Sequence, residues 1–310
     1  MTQTVRSPDL ATYCAAAVGT ARGLVRPRWP DHAYLESLHD AGLPNASATV
    51  TVRALRQASK TVPTPFVAEG VRRPRGLRIA MTAFVVEHPT ATFVVDPSIC
   101  VDVMDRAFNE LPLMLRLGVR PPADLVDIGA ALDDAGLVRS DLAFALPTHL
   151  HWDHVSGLLD LPGLPVRLHT PEREWAMTGP VAPVGGVRPA LADRPIDEYV
   201  LDGPPVLTFP RSHDLMGDGS VVLVDLAGHT PGSVGVLLHT ATEWVLIAGD
   251  AAWHLLQVEQ IRQKMAYPGV LADEDRDETF RSLHRLHAIR DQVRVVPTHD
   301  HDAARALRPA

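Results

Sequence analysis

Thr148-His149-Leu150-His151-Trp152-Asp153-His154 packs four candidate ligands, three imidazoles and one carboxylate, into six positions. An apolar run, Leu142 to Leu146, leads into it and stops at Pro147, the pattern of a strand that hands over to a loop. If the segment starts extended, side chains alternate, so His149 and His151 point to one side. The chain must then turn, which brings Asp153 and His154 to a neighbouring point. One metal ion can take the first pair and a second ion the other. Imidazole together with carboxylate suits zinc, iron, manganese or cobalt. A chance cluster of surface histidines explains neither this density of ligands nor the strand before them.

Further along the chain, three more strand ends run into polar residues. They read Gly228-His229-Thr230-Pro231-Gly232-Ser233, Ile247-Ala248-Gly249-Asp250 and Pro297-Thr298-His299-Asp300. With the His-x-His-x-Asp-His segment they resemble, in order, the signature of the metallo-β-lactamase superfamily, over about residues 65 to 305. That resemblance implies an α/β fold, a four-layer αβ/βα sandwich. Two mixed β-sheets would lie face to face with helices on the outer faces and the metals at one edge. It also implies a ligand set. His149, His151 and His229 would hold the first metal, Asp153, His154 and His299 the second, and Asp250 would bridge both. The assignment is physically sound, because a shared carboxylate relieves the repulsion of two dications held ~3.5–4 Å apart.

Within the superfamily the pattern is most similar to the acyl-homoserine lactonases. The activity implied is a binuclear metal-dependent hydrolase that attacks a lactone or ester carbonyl with a metal-bridging hydroxide. Asp153 would orient that nucleophile and carry its proton to the leaving oxygen. The cofactor implied is two divalent ions, zinc first, with iron, manganese or cobalt as alternatives. One position departs from the pattern. Those lactonases carry a tyrosine three residues after the bridging aspartate, where this chain has Trp253. Trp253, His254 and Tyr267 are the candidate pocket residues, and the segment Trp175 to Val187 is expected to help line the cleft. A phosphodiesterase or thioesterase of the same superfamily is the alternative, since the same ions serve both. An iron-dependent oxidoreductase stands behind these, and a non-catalytic module would be expected to have lost ligands.

The bulk numbers agree with an enzyme acting on a small molecule. The chain has 310 residues, 46% hydrophobic and 21% charged, enough apolar material for a large core. A net charge of -8 gives a nucleic-acid partner no support. The tight basic cluster Arg72, Arg73, Arg75 and Arg78 encloses Pro74 and Gly76 and reads as a solvated loop. Two cysteines far apart, Cys14 and Cys100, form no disulfide framework and are expected to pack as small hydrophobes in a reducing compartment. The apolar stretch Leu10 to Val18 reads as a helix and not as a signal peptide. The expectation is therefore a cytoplasmic protein with a small-molecule substrate, no nucleic acid and no membrane, and a homodimer is allowed. Residues 1–64 read as an N-terminal extension of short helices and loops packed on a catalytic domain of residues 65–310. In that domain a hairpin is expected around His88-Pro89-Thr90, a helix split at Pro112, a helix from Pro122 to Leu132, a short strand from Val206 to Phe209, and a charged helix from Asp273 to Ile289.

Overall fold

The computed structural model describes residues 10–122, 124–178 and 183–307. Eleven strands among these residues form two sheets. The first contains, in spatial order, β1 (Thr51–Pro63), β2 (Gly76–His88), β3 (Ala91–Val95), β4 (Leu142–Leu146), β5 (Val166–His169) and β6 (Ile196–Tyr199). The second contains β7 (Ser212–Asp214), β8 (Val221–Asp225), β9 (Val234–His239), β10 (Trp244–Ile247) and β11 (Arg294–Val296), in the order β11-β10-β9-β8-β7. Both sheets are mixed. β1, β2 and β3 run antiparallel, β3 to β6 parallel, and in the second sheet only β10 and β11 are parallel.

Alternation along the strands builds the layers. Phe84, Val86, Phe93, Val95 and Leu146 of the first sheet meet Leu223, Val236, Leu238, Val245 and Val296 of the second in one apolar cluster between the sheets. The intervening residues Ala83, Val85 and Val94 face the other way. There they pack under Val103, Phe108, Ile128, Leu132 and Val187, which come from helices. On the far side, Val222, Val224, Leu237 and Leu246 pack against Phe280, Leu283, Leu286 and Ile289 of the helix Arg276–Ile289. These apolar residues recur at helical spacing, and Asp275 caps that helix by accepting from the N–H groups of Asp277 and Glu278. The result is helix, sheet, sheet, helix: the four-layer sandwich that the motif order implied.

The hairpin turns at Pro89 and Thr90, and Pro112 splits its helix into Val103–Arg106 and Leu113–Val119 with a 3-10 turn between them. Other expectations shift. Residues 10–25 are helical well past Val18, but Thr51–Pro63, read as part of the extension, is a long strand paired along β2. The helix expected from Pro122 begins only at Ile128, where Asp127 caps it. Val206 to Phe209, read as a strand, is a tight turn closed by a single bridge. Cys100 is buried as expected, whereas Cys14 is exposed on the first helix. Among the described residues no helix is long and apolar enough to cross a membrane.

Candidate metal centre

All the ligand-bearing segments leave the sheets at one edge. β4 ends into Thr148 and His149, β10 into Asp250 and β11 into His299, while the β8–β9 connection carries His229. Main-chain bonds lock these loops across the two sheets: Val234 N–H donates to Thr148 O (2.9 Å) and Ala80 N–H to His299 O (2.7 Å). Gly249, at φ +51°, precedes Asp250 and lies against Thr148, where a Cβ would come within 2.8 Å of Oγ1.

The structure brings the seven residues expected as ligands into one cluster. His149 Nε2 lies 3.1 Å from His151 Nδ1, which lies 2.8 Å from His229 Nε2. Asp250 divides its carboxylate. Oδ2 is 3.3 Å from His229 Nε2, while Oδ1 is 3.2 Å from His154 Nε2 and 3.1 Å from His299 Nε2. Asp153 Oδ2 completes the second group, 3.5 Å from His299 Nε2. Two of the groups geometrically able to hold an ion are therefore His149/His151/His229 and Asp153/His154/His299, and a third, His149/His154/Asp250, joins them.

The outer contacts decide which nitrogens face inward. Thr148 Oγ1 donates to Asp96 Oδ2 (2.9 Å), so it accepts from His149 Nδ1–H (3.1 Å) and leaves Nε2 as a lone pair. His154 Nδ1–H donates to Asp96 Oδ2 (2.9 Å), His229 Nδ1–H to Asp273 Oδ1 (2.8 Å) and His299 Nδ1–H to Ala80 O (2.8 Å). Four imidazoles thus present a bare Nε2 to the same point, the arrangement that orients metal-bound histidines. His154 Nε2 and Asp250 Oδ1 are fully buried and have no hydrogen-bond partner. Two buried acceptors face to face at 3.2 Å call for a cation between them. The spacing suits a divalent ion, because tetrahedral ligands on arms of about 2.0–2.1 Å sit roughly 3.3 Å apart. In the ion-free site a proton can be that cation: burial opposes charging His154, yet the carboxylates of Asp96 and Asp250 outweigh it and hold its pKa well above the ordinary value, so a bound ion would displace the proton. Burial and the neighbouring imidazoles push His149 well below, keeping it a neutral donor.

Four residues beyond the expected set shape this centre. Asp96, buried at φ +48° just past β3, takes Thr148 N–H, Thr148 Oγ1–H, His154 Nδ1–H and Thr298 Oγ1–H, and so ties the ends of three strands together. Its position after an apolar strand repeats the pattern that exposed the other stations, so the sequence carried a signal for it. Asp273 and Lys264 had none. Lys264 Nζ is buried between Asp273 Oδ1 (2.6 Å) and the Asp250 carbonyl (2.8 Å). The ammonium and the His229 contact hold the Asp273 carboxyl down at about 2 against its burial.

Glu172 is the fourth. Its Oε1 accepts from Leu150 N–H (2.7 Å) and its Oε2 from Gly232 N–H (3.0 Å), pinning the His149–His151 segment to the His229 loop. Burial pushes this carboxyl up to about 7, against its hydrogen bonds. Because the folded value lies above the ordinary 4.5, the native state holds the proton more tightly. The stabilisation is complete below the unfolded value and is lost as pH rises through the folded one. A separation of that size is worth on the order of 3 kcal/mol. Denaturant unfolding of metal-free protein between about pH 5 and 8 should show wild type losing stability relative to Glu172→Gln by up to that amount. Parallel profiles would contradict it.

A cleft opens onto this centre, enclosing about 470 Å³ of empty space with its mouth. Asp153, His299 and Trp253 form its floor; Phe66, Ile79, Met81, Val119, Pro121 and Pro122 supply apolar walls, and among the described residues Lys60 is the one lysine or arginine that lines it. Of the three candidate pocket residues only Trp253 lines it. His254 caps the helix Leu255–Gln260, accepting from Leu256 N–H, and lies 3.3 Å from Asp300 Oδ2. The Tyr267 hydroxyl is spent on the carbonyl of Met114. Part of the segment Trp175 to Val187, expected to help line the cleft, lies outside the described residues.

A family model described as the metallo-beta-lactamase superfamily matches residues 80–303. An N-acyl homoserine lactonase of Azorhizobium caulinodans is 26% identical over 75% of this chain and 86% of its own length. A Mycobacterium tuberculosis protein named a probable metallo-hydrolase is 28% identical over 54% of each chain. The chain spans about half the length of the first curated relatives it matches. An N-acyl homoserine lactone hydrolase solved with the product N-hexanoyl-L-homoserine at its catalytic metal centre superposes with a TM-score of 0.58 at 17% identity, covering 84% of this chain and 98% of that one. A dizinc quorum-quenching lactonase gives 0.56 at 12% identity, over 83% and 91%. At such identities these two structures speak to the fold.

Proposed function

The chain belongs to the metallo-beta-lactamase superfamily, and from that premise we propose that it is a two-metal hydrolase opening lactones or simple esters of apolar acyl groups. One observation carries the reading: the two oxygens of Asp250 are shared between two ligand groups at the floor of an apolar cleft. Zinc is the ion proposed for both positions, on the strength of the imidazole-rich donor set. When bound, the two ions supply a water ionised near neutral pH and a Lewis acid for the carbonyl oxygen.

The protein's own residues do the rest. Phe66, Ile79, Met81 and the Val119–Pro122 wall bind the acyl part and keep bulk water away. Asp153 lines the cleft beside His299, with its side chain 16% exposed, so it can take a proton from the attacking water and pass it to the leaving oxygen. Cys14 and Cys100 lie outside the cleft lining, and no covalent acyl-enzyme is required. A phosphodiester or a glutathione thioester would ask for several cationic side chains in the cleft, and among the described residues Lys60 is the one lysine or arginine lining it.

The test is a hydrolysis panel of acyl lactones, aryl esters, phosphodiesters and thioesters on protein of known metal content. Lactones or esters should be turned over fastest, with kcat/KM rising with acyl length until the cleft is filled. In the same assay Asp153→Asn should lower kcat by about 10²–10⁴-fold with little change in substrate binding, once equal metal content is shown. Phosphodiesters turned over faster than every ester would replace this reading.

A further inference from the structure

We propose that Trp253 is a positioning residue for the bridging carboxylate, spending its indole N–H on Asp250 and not on substrate. The inference rests on the two-metal reading of the same centre. Trp253 Nε1–H donates to Asp250 Oδ2 at 2.6 Å, and the indole has no second polar atom to offer a ligand. The other oxygen, Oδ1, has no hydrogen-bond partner and faces His154 and His299. Among the described residues the indole is the one hydrogen-bond donor to this carboxylate, so without it Oδ2 loses its hold on the side that faces His229.

The indole is itself held from several sides. Gln257, fully buried, accepts from the backbone N–H of Trp253 through Oε1 (2.7 Å) and so fixes the main chain that carries the ring. Phe66 tilts against the ring at 6.2 Å and His299 meets it edge-on at 6.1 Å. Lys264 Nζ lies 5.2 Å over the ring and also donates to the Asp250 carbonyl, so one ammonium fixes both the main chain of Asp250 and the face of its side-chain donor. Asp250 is thereby clamped at its backbone and at one oxygen, on the side that faces His229.

Two effects of the N–H oppose each other. It withdraws some charge from Oδ2, which weakens that oxygen as a ligand, and it orients the carboxylate, which strengthens the site. Orientation should win, because removing such outer contacts typically costs about 10–100-fold in metal affinity.

The test compares wild type with Trp253→Phe, which keeps a ring and loses the donor. Metal-free protein is titrated with Co²⁺ against a competing chelator while absorption and tryptophan fluorescence are followed. The affinity for one of the two ions should fall about 10–100-fold while the other changes by less than threefold. The fluorescence change that accompanies ion binding in wild type should shrink in the variant. The metal-free variant should keep a cooperative thermal transition, and any kinetic loss at saturating metal should fall on kcat more than on KM for a lactone. Unchanged affinities, or both affinities falling together with a lowered metal-free midpoint, overturn the inference and reduce Trp253 to packing. A KM that rises with the affinities unchanged assigns the indole to the substrate instead. Failure of the wild type to bind two ions would overturn the two-metal reading along with it.

Discussion

Replacing Asp250 with alanine should cost the protein at least one of its two ions and lower lactone turnover by on the order of 10³-fold or more. The reason is geometric. Asp250 alone reaches both ligand groups, 3.3 Å from His229 on one side and 3.1–3.2 Å from His299 and His154 on the other. Without it the three-histidine group has no anionic ligand, and two dications would face each other with nothing between them to offset their repulsion. Asp250→Asn is the milder control. It keeps the shape and one carbonyl oxygen, so it should retain one ion and lose the other. Two ions and undiminished turnover in the alanine variant would remove the bridge from the account.

The second large effect is on stability. The centre buries His149, His154, His229, His299 and Asp250 almost completely, and several of their polar atoms face one another at 3.1–3.3 Å. Ions bound to the native state alone stabilise it by mass action, about 4 kcal/mol for an ion present at a thousand times its dissociation constant. For a chain of this size that is on the order of 10 °C in the thermal midpoint. Dialysis against a chelator should therefore lower the midpoint by about that much and end turnover together. Zn²⁺, Co²⁺ or Mn²⁺ should restore both. A midpoint indifferent to chelator would mean that the cluster holds no tightly bound ion.

The sequence was most legible where chemistry and chain order coincide. His149, His151, Asp153 and His154 lie within six positions, and Gly228–Ser233, Ala248–Asp250 and Thr298–His299 each follow an apolar run, so strand ends and ligands could be read together. The layers followed from the motif order and the resemblance: Ala83, Phe84, Val85 and Val86 are all apolar, so which of them face the second sheet and which face the helices shows only in the structure. What escaped depends on distant partners. The strand Thr51–Pro63 is mixed and basic in places, with Arg53, Arg56 and Lys60 on a sheet edge, and only its pairing with β2 makes it a strand. Glu172, Lys264 and Asp273 sit in helix or loop with no local signature, and their roles follow from contacts 9 to 60 residues away. Trp253 was visible as a departure from the lactonase pattern, but the direction of its N–H belongs to tertiary structure.

The central claim is that two ions held by this cluster open an ester bond. The most direct measurement titrates Zn²⁺ into metal-free protein and follows opening of an N-acyl lactone alongside the number of ions bound. The account predicts no turnover in metal-free protein and full turnover at two equivalents, with nothing gained from a third. Full turnover without metal, or a maximum at one equivalent that a second ion leaves unchanged, would contradict it.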